Sequence, residues 1–69
     1  MRLYTLTIAE AAVINALNAQ RTNVLLIVCQ VGEHVGVDPD ALQSPDYASY
    51  LEAIGGVYQE ERVVELPDL

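Results

Sequence analysis

The sequence predicts a small α+β domain, mainly α. It has a short N-terminal strand, a helical hairpin over about 8–20 and 22–35, a third helix at about 45–54, and a C-terminal strand or extended arm. Three observations predict this. A Thr-x-x-Glu box stands before an alanine-rich run. Six apolar residues run unbroken from Val24 to Cys29. A Ser-Pro-Asp opening and a Gly-Gly close frame a further amphipathic stretch.

The chain opens on "RLYTLT", where Leu3 and Leu6 are set against Tyr4, Thr5 and Thr7; it is short and rich in strand formers, so it predicts a strand. "TIAE" (7–10) then forms a capping box. The Thr7 hydroxyl accepts from the amide at position 10, and the Glu10 carboxylate reaches back to the Thr7 amide. The helix that follows, over 8–20, carries five alanines with Ile8, Ala12, Val13, Ile14 and Leu17 as its apolar positions.

The stretch "NVLLIVCQVG" (23–32) has two soluble readings. Val, Ile and Cys suit a strand, which would make a βαβ unit. Val24, Val28, Val31 and Val35 also fall at i, i+4, i+7 and i+11, in phase with Ile14 and Leu17. The helix is the preferred reading, and Leu25 and Ile27 widen its stripe until it is buried nearly all round. Thr22 or Asn23 caps its start, and Gly32 or Gly36 ends it. A membrane span needs about 20 apolar residues, and Gln30 interrupts this run well before that.

Residues 32–46 form a punctuated loop with room for one helical turn at 39–43. The third helix takes Ser44 as its N-cap, Pro45 at its first position, Asp46 against the helix dipole and Gly55 past its end. Its stripe is Tyr47, Tyr50, Leu51 and Ile54. In the last segment, 57–69, Val57, Val63, Val64 and Leu66 suggest a strand that pairs with residues 2–7 or an arm that reaches a neighbouring subunit.

Composition narrows the function classes. Sixty-nine residues make a single domain, 1–69, and a lone core of that size rarely supplies more than about 3–5 kcal/mol. One cysteine rules out an intrachain disulfide, and one histidine leaves the usual zinc ligand sets incomplete. With 52% hydrophobic residues, the chain holds more apolar surface than it can hide alone, so a homo-oligomer or a subunit of a larger complex is expected. The net charge is −7 and is unevenly placed: residues 1–32 hold Glu10 against Arg2 and Arg21, and residues 33–69 hold nine acids against Arg62. Three arginines and no lysine argue against direct nucleic-acid binding. The first twenty residues lack the pattern of a secretory signal peptide, and a single free cysteine fits a reducing compartment.

Glu33, His34, Asp38 and Asp40 are the cluster closest to chemistry, as a general base or a metal site, but a solvated loop is the preferred reading. Cys29, inside the most apolar segment, reads as an inert core cysteine. Neither serine has a histidine near it in sequence, and the glycines match no phosphate-binding loop. No catalytic residue, metal or cofactor is therefore assigned, and no small-molecule substrate or membrane partner is expected. Two contact surfaces are. Val24, Leu25, Val28 and Val31 would build an oligomer interface. Tyr47, Tyr50 and Tyr58, with Glu60, Glu61 and Glu65, would face another protein, or else close the core and solvate the surface.

The opening "YTLTIAEAAVINALNAQ" resembles the start of small bacteriophage-encoded accessory proteins: a short strand, a Leu-Thr-x-x-Glu-Ala helix, then a second apolar helix ending near Gln. Leu6, Thr7, Glu10 and Ala11 carry the likeness, followed by Ile14, Leu17 and the 24–31 run, over about the first half of the chain. The resemblance implies a non-enzymatic viral protein in a virion or host cytoplasm. The expected function is a minor structural or assembly subunit of a phage particle or other symmetric complex. The alternative is a small acidic protein that binds and inhibits a host enzyme or transcription factor.

Overall fold

The strand-forming opening residues become the central strand of a sheet. The computed structural model, which describes residues 1–67, starts with β1 (Arg2–Thr5) and runs on through α1 (Ile8–Ala19), β2 (Cys29–Val31), β3 (His34–Val37) and α2 (Pro39–Leu42). After a 3-10 turn at Pro45–Tyr47 come α3 (Ala48–Ala53), a second 3-10 turn at Glu60–Arg62, and β4 (Val63–Glu65). The four strands form one antiparallel sheet in the order β2-β3-β1-β4.

This corrects the expected architecture. The domain is α+β with a four-stranded sheet and three short helices; it is not mainly helical, and it has no helical hairpin. The second arm of that hairpin, 22–35, is an irregular segment, bent at 22–23 and without regular structure over 24–28, followed by the β2–β3 hairpin. The physical reason lies in two places. Gly32, with φ +61°, opens a two-residue turn between Val31 and His34, and a positive φ at the first central residue is the turn that suits strand twist. Upstream, the Asn18 side chain grips the Leu26 backbone from both sides. Its Nδ2 donates to the Leu26 carbonyl (2.8 Å), and its Oδ1 accepts from the Leu26 amide (3.2 Å). A residue held that way offers neither backbone group to a helix. β-Branched Val24, Ile27, Val28 and Val31 suit the extended form.

α1 starts where the capping box places it. The Thr7 hydroxyl accepts from the Glu10 amide at 3.1 Å, and the Glu10 carboxylate accepts from the Thr7 amide at 2.9 Å. α2 is one turn, capped by Asp38, whose carboxylate accepts from the Asp40 amide at 2.9 Å. The helix expected over 45–54 is divided, because Tyr47 leaves helical geometry (φ −112°, ψ 18°) between the 3-10 turn and α3. Ser44 caps the 3-10 turn. β4 pairs with β1 in the register Arg2 to Glu65, so the segment expected as strand or arm closes the sheet within the chain. Residues 68 and 69 of that segment lie outside the described residues.

One face of the sheet carries the core. By alternation and register, Tyr4, Val35, Val37 and Val63 point to the side on which α1 and α3 pack. There Tyr4, Leu6, Ala11, Ile14, Leu26, Val37, Leu42, Tyr50 and Ile54 form one cluster. Burying a side chain as completely as Ile14 is worth about 1.5–3 kcal/mol. The other face carries Leu3, Thr5, Cys29, Gly36 and Val64. Gly36 is required there, since a Cβ at that position would sit 2.1 Å from the Tyr4 carbonyl oxygen.

Candidate interaction surface

The most distinctive surface lies where α1 meets β2. Residues 22–32 contain no charged side chain, in a chain with net charge −7. Within this strip Val24 is 40% exposed, Leu25 38% and Ile27 59%, so their apolar area faces outward. Leu26 alone is buried and anchors the strip to the core. The strip leads into β2, which is an edge of the sheet.

Edges of sheets present unpaired backbone groups, and proteins usually blunt them with charge. The two edges here differ in that respect. β4 is preceded by exposed Glu60 and Glu61 and ends on exposed Glu65. β2 reads Cys-Gln-Val, without charge. Beside it, α1 and β2 border a groove of about 430 Å³ lined by Ile8, Ala12 and Asn15 from the helix, by Cys29 and Gln30 from the strand and by Val28 just before it. Ile8 is 86% exposed at its rim.

The residues expected to form an oligomer interface are brought here in a different form. Val24 and Leu25 are exposed, and Val28 and Val31 are half-buried, on an irregular segment and β2 rather than on one stripe of a buried helix. Cys29 also departs from expectation. It is exposed, on the edge strand and in register with Gly36, on the face opposite Tyr4 and Val37. Sequence reasoning missed Ile8, Ile27 and Gln30 as part of this surface. The available signal was the uncharged run ending in a Gly32-Glu33 turn.

The tyrosines and late acids are not brought together as one contact face. Tyr50 is fully buried. Its hydroxyl donates to Asn18 Oδ1 at 2.5 Å, its ring meets Tyr47 edge-on, and the Arg21 guanidinium lies over it at 4.7 Å. Tyr47 is half-buried and donates to the Leu25 carbonyl at 3.2 Å. Tyr58 is half-buried and packs on Tyr4, ring centroids 5.0 Å apart. Its shielded hydroxyl has a raised pKa, chiefly because burial disfavours the phenolate.

A polar cluster fixes α1 to the last strand. Arg62 pairs through two guanidinium nitrogens with the Glu10 carboxylate and lies 5.1 Å over the Tyr4 ring. The hydrogen bond from Arg62 holds the Glu10 carboxyl below its ordinary pKa, against the opposing effect of desolvation. Both side chains are satisfied by each other and by the cap, so this is a structural clasp.

The residues that suggested chemistry are dispersed in role. His34 and Glu33 are exposed at the β2–β3 turn, Asp38 caps α2, and Asp40 pairs with Arg2 at 3.3 Å. Among the described residues no three His, Cys, Asp or Glu side chains are grouped to hold a metal ion, and no helix is long and apolar enough to cross a membrane. In comparisons with known proteins, no family model, no curated protein and no solved structure matches this chain.

Proposed function

We propose that the chain is a protein–protein interaction module that works by contact, as a repeated subunit of a symmetric assembly. The observation that carries this reading is the uncharged, outward-facing strip of Val24, Leu25 and Ile27 leading into the open edge of β2. Exposed apolar patches on small acidic domains mark sites of association. The viral setting, a minor structural protein of a phage particle, is supported by the resemblance of the Leu6, Thr7, Glu10 and Ala11 opening to small bacteriophage-encoded proteins.

The test is the native mass of the untagged chain by light scattering over a dilution series. A mass above that of the 7.5 kDa chain, falling on dilution, is the expected outcome. A constant monomer mass to millimolar concentration overturns the self-associating reading.

A second reading, a binder of a host enzyme or transcription factor, is favoured by the exposure of Glu60, Glu61 and Glu65 near the chain's end. Its aromatic contribution is limited to Tyr47 and Tyr58, since Tyr50 is buried. Neutralising the three acids would abolish capture of a basic partner and leave self-association intact under that reading.

A further inference from the structure

The open edge has a specific hydrogen-bonding pattern, and it is complementary to itself. The two-residue turn at Gly32 and Glu33 requires Val31 and His34 to exchange both backbone bonds. Alternation then makes Cys29 and Gly36 the next exchanging pair and leaves Gln30 and Val35 as a non-exchanging pair. The far side of β3 agrees: the Val35 carbonyl accepts from the Leu6 amide at 2.8 Å, so Val35 turns its polar groups to β1. Those of its partner Gln30 therefore turn the opposite way, to the open edge. Continuing the alternation upstream places the N–H and C=O of Val28 on the same side as those of Gln30.

Resting on the self-associating reading above, we propose that a second copy of this chain pairs antiparallel along β2, about a two-fold axis at Cys29. In that register Val28 of each copy exchanges both bonds with Gln30 of the other. Centring the axis on Gln30 instead would set Val28 against Gly32. Gly32 sits in the turn at φ +61°, and its carbonyl already accepts from Gln30 Nε2 at 3.3 Å. The Cys29 register avoids the turn and uses β2 with the residue just before it.

Charge selects the occupant. Residues 11–32 hold one charged side chain, Arg21, which bonds to the Ser49 hydroxyl at 2.7 Å and covers Tyr50. Two chains of charge −7 repel least where acids are fewest, and the segment that carries the free edge, 22–32, holds none; Asp38 and Asp40 border a cavity with Cys29 on the other face, where Arg2 offsets them. A basic partner would be drawn to the acidic segments instead. Pairing at β2 also places the grooves of the two copies side by side on the helix-bearing face, so Ile8 and Ala12 of both α1 helices border the seam.

The register makes a sharp prediction. Cys29 of each copy faces Cys29 of the other as a non-exchanging pair, for which Cα atoms lie about 4.5 Å apart. That is within the range a disulfide spans. The experiment treats the full-length chain with diamide, which takes up the two electrons and two protons released as the Sγ–Sγ bond forms. Rapid formation of a covalent dimer, absent in Cys29→Ser, is expected at concentrations where light scattering shows association. Gln30→Pro removes an N–H that the β2–β3 ladder does not use, so the fold should keep its circular dichroism while the mass halves. Amide exchange on the unmodified chain checks the same point without a variant: Val28 and Gln30 should gain protection as concentration rises.

Association that persists in Gln30→Pro, with Val28 and Gln30 amides exchanging freely, overturns the pairing and leaves the assembly reading standing. Dissociation in Gln30→Pro without a Cys29 cross-link overturns the register. A wild-type chain that stays monomeric overturns both the pairing and the assembly reading, and assigns the edge to a strand of another protein.

Discussion

Asn18 shows how much of this fold rests on single side chains. Its amide takes the place of a neighbouring strand for Leu26, and its Oδ1 also accepts the Tyr50 hydroxyl, with the Val24 carbonyl 3.3 Å from the same hydroxyl. Tyr50→Phe keeps the ring and removes that donor. A hydrogen bond of this kind contributes about 0.5–1.5 kcal/mol net, and for a domain of this size each kcal/mol moves the midpoint by roughly 4–8 °C. The expected result in thermal unfolding is a fall of roughly 2–12 °C, with faster amide exchange at Leu26 than in the wild type. An unchanged midpoint would mean that α1 and the 24–26 segment are not joined through this hydroxyl. Tyr50 was legible as part of an apolar helical stripe, since i, i+3 and i+4 spacing with Tyr47 and Ile54 needs only local pattern. Asn18 was not. It is a polar residue on a helix, and its importance comes from a partner eight positions on that periodicity does not reveal.

The elements divide in the same way between local and non-local causes. The start of α1 was fully legible, because Thr7 and Glu10 satisfy each other's backbone within one turn. The 24–31 segment was not, because valines at helical spacing are also valines on a strand, and the choice fell to a side-chain clamp and a glycine turn. β4 shows a third case: its pairing with β1 spans nearly the whole chain, and the turn just before it is tied to α1 by the Arg62–Glu10 clasp. That clasp gives a pH dependence with a definite sign. The folded carboxyl of Glu10 lies below its ordinary value of 4.5, mainly through the Arg62 hydrogen bond. A group depressed on folding stabilises the protein above its unfolded pKa, and this contribution is lost as pH falls through the lowered folded value. The two side chains are 18% and 21% exposed, so solvent screens the pair and its worth is about 1 kcal/mol. Glu10→Gln keeps an acceptor for the Thr7 amide. Denaturant unfolding should therefore show wild type ahead of Glu10→Gln by about 1 kcal/mol at pH 7, with the gap closing as pH drops below 4.5. A gap that stays constant down to pH 2 would assign the difference to packing.

At the scale of the whole molecule, the legible feature was the charge split, and the structure turns it into geometry. The uncharged run 22–32 becomes an edge strand and its approach, and the acidic segments fall on the turns, the α2 and α3 region and the opposite edge. Sequence showed that one half is nearly free of charge. It did not show that this half supplies a sheet edge, since strand order depends on pairings between distant segments. The distribution fixes how association responds to salt. The domain measures 31 × 21 × 21 Å, so at 0.02 M salt, where the Debye length is about 20 Å, acidic groups on two copies meeting at β2 still repel. At 0.5 M that length is about 4 Å. The repulsion between two chains of charge −7 is then largely screened, and an uncharged seam loses nothing. Self-association should therefore tighten several-fold from 0.02 to 0.5 M sodium chloride, read as a shift of the light-scattering dilution curve to lower protein concentration. A contact built on Glu60, Glu61 and Glu65 with a basic surface responds in the opposite sense, because screening weakens attraction as it weakens repulsion. Weakening with salt would move the working surface of this protein from the β2 edge to its acidic end.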